Sequence, residues 1–155
     1  MKYQDILNQG SKILKLNDIK SYNLDSEILL STSLNLDRSQ LLLNLDKIIE
    51  NKEKEIFFNY IERRIRNEPI AYITGYKEFW KSKFKVNKNV LIPRPDTETL
   101  IEQVLNDLNI SSTKKILDIG TGSGALAISL AREFINANIT AIDVSEEAIK
   151  VANKN

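Results

Sequence analysis

The sequence predicts an α/β chain in three parts: a small helical bundle, a β-hairpin, and the opening of a parallel sheet flanked by helices. Three observations predict it. Apolar residues recur at three- and four-residue steps through roughly the first 65 residues, and short apolar runs separated by turn formers follow from Phe79 to Ile92. From Lys115 onward a strand pattern, a glycine-rich turn, a helix pattern and a second strand pattern come in order, as in a βαβ unit.

The first helix is marked by Tyr3, Ile6, Leu7, Gly10, Ile13 and Leu14. Ser21 can cap a second, with Leu24, Ile28, Leu29 and Leu34 turned inward, and Asp37-Arg38-Ser39 can open a short third through Leu41 to Leu43. Asn51 is the expected cap of a fourth, whose stripe is Phe57, Tyr60, Ile61 and Ile65. It should end near Asn67, because Pro69 disfavours helical backbone at Glu68. Residues 1–70 are expected to form this bundle and residues 71–93 the hairpin, with turns at Lys81-Ser82 and Asn87-Lys88-Asn89. Residues 94–155 should open the sheet. Pro93-Arg94-Pro95-Asp96 stops the hairpin, and Asp96 can cap a helix presenting Leu100, Ile101, Val104, Leu105 and Leu108. Then come a strand at Lys115–Ile119, a helix at Gly122–Phe134, a strand at Asn138–Ile142 and a helix capped by Ser145 with Glu146 and Glu147 in its first turn.

Composition narrows the chemistry. The 155 residues hold 22 basic and 21 acidic side chains, so no global field argues for nucleic acid or an anionic membrane. With no Cys and no His, these residues offer no thiolate nucleophile, disulfide, imidazole base or His-ligated metal, leaving carboxylates, amides and Tyr. No apolar run is long enough to cross a bilayer and the start lacks a signal-peptide core, so a soluble, cytoplasmic protein is expected. A monomer is expected as well. Arg63, Arg64 and Arg66 fit a solvated helix face better than a contact with RNA or an acidic patch.

The glycine turn carries the functional signal. In Ile116-Leu117-Asp118-Ile119-Gly120-Thr121-Gly122-Ser123-Gly124-Ala125 the glycines can take positive φ and let a ligand approach the backbone, and the following helix presents unpaired N–H groups. The spacing is G-x-G-x-G, not the G-x-G-x-x-G of dinucleotide sites. Asp118, two residues ahead of it, would repel a pyrophosphate and attract a cation. S-adenosylmethionine, with its ammonium and sulfonium, fits this pattern better than NAD. Asp143 ends the next strand nineteen residues beyond Gly124, where a carboxylate can accept hydrogen bonds from ribose hydroxyls.

Three stretches ahead of that turn are Glu68-Pro69-Ile70-Ala71-Tyr72-Ile73-Thr74-Gly75, Phe79-Trp80 and Leu91-Ile92-Pro93-Arg94-Pro95-Asp96-Thr97-Glu98. In this order they resemble the bacterial release-factor glutamine methyltransferases, the PrmC/HemK family. The resemblance implies a helical domain that helps recognise peptide-chain release factors, a hairpin linker, and a Rossmann-like class I methyltransferase sheet that binds S-adenosylmethionine. It also implies methylation of the side-chain nitrogen of glutamine in a Gly-Gly-Gln loop, without a metal. By that resemblance Gly120, Thr121, Gly122, Ser123 and Gly124 cradle the methionine end of the cofactor, Asp118 lies near its amino group and Asp143 holds the ribose. Pro93, Arg94, Pro95 and Asp96 border the pocket, with Arg94 and Pro95 in contact with cofactor; the alternatives are a surface salt bridge for Arg94 and simple chain-turning for the two prolines. Phe79 and Trp80 are expected in an interdomain core.

An amide nitrogen is a poor nucleophile, so its position and hydrogen bonding must be controlled. In the family an Asn-Pro-Pro-Tyr segment after the fourth strand does this, and these residues do not include it. The expectation is therefore a truncated sheet, no catalytic residue in this portion, and no methyltransferase activity from these 155 residues alone. Alternatives are a module that binds release factors or other proteins without chemistry, and an adenosylmethionine enzyme acting on another amide or on nucleic acid.

Overall fold

The computed structural model describes residues 1–108 and 113–155. They fall into two compact units, Met1–Thr74 and Gly75–Asn155.

The first unit contains α1 (Tyr3–Leu16), α2 (Tyr22–Ser33), α3 (Arg38–Leu42), α4 (Asn51–Ile65) and α5 (Ile70–Thr74). Its core gathers Ile6, Leu14, Leu29, Leu30, Leu41 and Phe57, all fully buried. Burying each such side chain contributes about 1.5–3 kcal/mol, which is what holds short helices together. Gly10 lets α1 approach closely: a Cβ there would stand 2.4 Å from Phe57 Cζ and 2.7 Å from Ser26 Oγ.

At several points the helices depart from the sequence expectation. Leu24 is exposed, because α2 turns Asp25, Ser26, Leu29 and Leu30 inward instead. Asp25 tolerates burial because Arg64 Nε donates to it at 2.7 Å and Ser21 Oγ donates to it at 2.8 Å. Ser21 therefore precedes α2 without capping it through its side chain. Asp37 does cap α3, accepting from the Gln40 N–H at 2.7 Å, but Leu42 and Leu43 are exposed. Glu50, not Asn51, is the residue before α4, and its N–H donates to Glu53 at 3.2 Å. Pro69 ends α4 and also starts α5, its carbonyl accepting from the N–H groups of Tyr72 and Ile73.

Nor do the arginines form a solvated face. Arg63 donates to both carboxylate oxygens of Glu68, at 2.8 and 2.5 Å, and to the Tyr72 carbonyl at 3.2 Å, so it ties α4 to the end of α5. Arg64 serves Asp25, and Arg66 is exposed. The Arg63 guanidinium, bonded to it, holds the Glu68 carboxyl below the ordinary glutamate range.

The second unit opens with β1 (Tyr76–Phe79) and β2 (Ser82–Lys85), antiparallel from Tyr76↔Lys85 to Phe79↔Ser82. This register puts the turn at Trp80-Lys81, one residue earlier than expected, and Val90 and Ile92 lie in no strand. Trp80 has φ +52°, an unfavourable backbone for a bulky side chain. Two hydrogen bonds hold it: its N–H donates to Glu98 at 2.8 Å, and its indole Nε1 donates at 2.6 Å to a Glu133 oxygen that Lys81 Nζ also reaches at 2.7 Å.

A 3₁₀ turn, Pro95–Thr97, leads into α6 (Glu98–Asp107). Asp96 lies inside that turn, where its carbonyl accepts from the Thr99 hydroxyl, and its side chain caps nothing. Of the face expected on α6, Ile101 is buried, Val104, Leu105 and Leu108 pack beside it, and Leu100 is exposed. After it come β3 (Lys115–Ile119), α7 (Ala125–Glu133), β4 (Asn138–Ile142) and α8 (Glu146–Ala152). The strands have the bounds read from sequence, and they pair in parallel from Lys115↔Asn138 to Ile119↔Ile142. Helix α7 begins three residues later than expected, because Gly122 and Gly124 take positive φ. Ser145 caps α8, accepting from the Ala148 N–H at 3.2 Å. Phe79 and Phe84 meet edge to face in a core with Ile101, Leu130 and Phe134, and Trp80 packs against it. Both hairpin aromatics thus belong to the core of the second unit, a correction to the interdomain placement.

Candidate cofactor site

The site sits where β3 gives way to α7. At the end of the parallel pair the Ile142 carbonyl accepts from two N–H groups, Gly120 at 2.8 Å and Thr121 at 3.0 Å. This anchors the turn to β4. The chain then passes through Gly120, Gly122 and Gly124 at φ +79°, +57° and +78°, values that only glycine adopts readily. A Cβ on Gly120 or Gly122 would meet no atom within 4 Å, so the backbone there is open to a ligand. Gly124 faces inward: a Cβ on it would stand 3.1 Å from Ile128 Cδ1 and 3.2 Å from Ala152 Cβ.

Two carboxylates are built into the turn. Asp118 accepts from the Thr121 hydroxyl at 2.7 Å, which orients the carboxylate and leaves lone pairs free. Asp143 accepts from the Ser145 N–H at 2.9 Å through one oxygen and from the Gly122 N–H at 2.8 Å through the other. These backbone donors, Ser145 first, hold its carboxyl below the ordinary aspartate range. Asp143 therefore clamps the turn itself, a role that the sequence did not reveal.

A cleft of about 170 Å³ opens beside the turn, lined by Asp118, Gly120, Thr121, Gly122, Ser123 and, from the segment before α6, Arg94. Pro93 also borders it. Gly124, Pro95, Asp96 and Asp143 are not among its lining residues. Phe79, Thr97 and Leu126 line it as well, and nothing in their spacing announced this. The Arg94 guanidinium is exposed at the rim and forms no ion pair with a described carboxylate. A whole drug-sized ligand usually occupies about 300 Å³ or more. The cleft is thus sized for part of one, with an anion and a cation in reach of its end. No group of three or more His, Cys, Asp or Glu among the described residues could hold a metal ion.

Comparison with known proteins places these features in context. The PrmC N-terminal domain family matches residues 5–75, and a methyltransferase domain family matches residues 110–155. The release factor glutamine methyltransferase of Leptospira interrogans is 45% identical over 152 residues, 97% of this chain and 53% of that protein. Nearly the whole chain is thus similar to release factor glutamine methyltransferases, and its first part to the PrmC N-terminal domain family. The release factor glutamine methyltransferase of Aliivibrio fischeri is 39% identical over 155 residues, all of this chain and 54% of that protein. A bifunctional methyltransferase of Rickettsia typhi is 43% identical over 170 aligned positions, 98% of this chain and 33% of that protein. The chain thus spans about half the length of the release factor glutamine methyltransferases it matches. Among the described residues no helix is long and apolar enough to cross a membrane.

Proposed function

We propose that the chain contributes the release-factor-recognising domain and the cofactor cradle of a cytoplasmic, monomeric S-adenosylmethionine-dependent methyltransferase. Its substrate is the Gly-Gly-Gln glutamine of peptide-chain release factors. The observation that carries this reading is the turn's geometry: open backbone at Gly120 and Gly122 with an oriented carboxylate, Asp118, on the same cleft. A pyrophosphate beside Asp118 would meet a like charge, whereas an ammonium gains a charge-assisted hydrogen bond.

The residues fit the methionine end of the cofactor. Asp118 receives the ammonium, Arg94 lies on the same cleft for the carboxylate, and the glycine backbone passes close beneath. Pro95, within the 3₁₀ turn beside Arg94, stiffens the rim. Asp143 keeps lone pairs beyond those used by Gly122 and Ser145, and these remain for ribose hydroxyls. When bound, the cofactor supplies an electrophilic methyl group on a sulfonium, so no metal is needed. What this chain does is hold and orient, because an in-line approach of the amide nitrogen is the main requirement.

The nitrogen itself needs acceptors for its N–H groups. The Asn-Pro-Pro-Tyr segment that the resemblance gives this task is not among these 155 residues, so they are assigned binding rather than turnover. The first unit, residues 1–74, is assigned recognition of the release factor, and Arg63 and Arg64 are engaged internally. The test is mass spectrometry of a release factor incubated with S-adenosylmethionine. The intact enzyme should add one methyl group to the Gly-Gly-Gln peptide, and the 155 residues alone should add none. Methylation by the 155 residues alone, or of another residue by the intact enzyme, contradicts the reading.

A further inference from the structure

We propose that Asn155 is a positioning residue that locks the cofactor turn to the hairpin; the role of the lock rests on the cofactor reading above. A side-chain amide has one carbonyl acceptor and two N–H donors. Here all three act. The Asn155 side-chain oxygen accepts from the Lys85 N–H at 2.7 Å, and its nitrogen donates to the Lys85 carbonyl at 3.0 Å and to the Ser123 carbonyl at 2.9 Å. The pair on Lys85 copies the two-way exchange of a strand residue in an antiparallel ladder. Asn155 thus occupies the outer edge of β2, while its third bond reaches into Gly122-Ser123-Gly124.

That third bond matters because Ser123 stands between two glycines at positive φ, where the backbone has most freedom to rotate. Asp143 fixes the N–H of Gly122 and the Thr121 carbonyl accepts the N–H of Gly124, but the Ser123 carbonyl has Asn155 as its side-chain partner. Asn155 does not line the cleft, so its substitution removes no ligand contact. Alanine would empty the position. Aspartate would place a carboxylate against two carbonyl oxygens and lose both donors.

Two readouts on the intact protein test the lock. Amide exchange at Lys85, followed without ligand, should accelerate at least about tenfold in Asn155→Ala and Asn155→Asp. Calorimetry should show S-adenosylmethionine affinity falling at least about tenfold in both. Arg132→Ala, which removes a bond from α7 to Ser82 without touching the turn, is the control and should keep its affinity. Affinity within about twofold of wild type in Asn155→Ala, or an equal loss in Arg132→Ala, overturns the proposal. An unprotected Lys85 amide in the wild type also overturns it. Failure of the wild type to bind S-adenosylmethionine overturns the cofactor reading instead, and the ligand-free exchange at Lys85 tells the two failures apart.

Discussion

Asp143 links the shape of the turn to pH. Its carboxyl is held below the ordinary aspartate value in the folded chain, so its contribution is present above about pH 4 and is lost as pH falls through the depressed value. Amide exchange at Gly122 should therefore stay slow from neutral pH to about pH 4, after correction for intrinsic rates, and rise only in stronger acid. Asp143→Asn should show the fast behaviour at neutral pH as well. Asp118 makes a different prediction. It is half-buried and, among the described residues, its side-chain hydrogen bond comes from Thr121, so Asp118→Ala should lower S-adenosylmethionine affinity by about tenfold or more in calorimetry while leaving Tm nearly unchanged. At this scale the sequence marked the glycines and both acids, because spacing alone sets Asp118 before the turn and Asp143 after the next strand. It could not mark Asn155, whose partners lie 32 and 70 positions away, nor the clamp by Asp143, which depends on where its oxygens point.

Helices and strands show how periodicity succeeds and where it fails. The bounds of β3 and β4 followed from short apolar runs between turn formers, since both strands depend on local pattern. The face of α2 did not follow, because a charged residue, Asp25, takes an inward position that hydrophobic counting assigns to its neighbour Leu24. Its partner Arg64 is 39 positions away. Removing that partner leaves a buried carboxylate uncompensated, so Arg64→Ala should cost about 3 kcal/mol in denaturant unfolding, while Arg66→Ala should cost under about 0.5 kcal/mol. Equal effects would contradict the internal ion pair. Gly10→Ala tests the α1 packing: with Phe57 Cζ at 2.4 Å from the new Cβ, overpacking should cost about 1–3 kcal/mol despite alanine's better helix propensity. The turn of β1 and β2 shifted by one residue for a similar reason, since Trp80 is held at positive φ by Glu98 and Glu133 from α6 and α7.

For the molecule as a whole, the α/β class was legible because a change of period, from three or four to two, separates the helices from the hairpin. Two strands and their helices are expected to leave apolar faces uncovered, and Leu117, Ile119 and Ile142 are 57%, 74% and 45% exposed. A sheet of this kind is ordinarily covered on both faces. Asp118 and the glycine turn are proposed as a site for S-adenosylmethionine and not for a dinucleotide. Titration calorimetry of the intact protein with S-adenosylmethionine, repeated with NAD in excess, tests it most directly. Saturable binding is expected, unchanged by NAD and weakened about tenfold or more by Asp118→Ala. No saturable binding of S-adenosylmethionine, or its displacement by NAD, would contradict it.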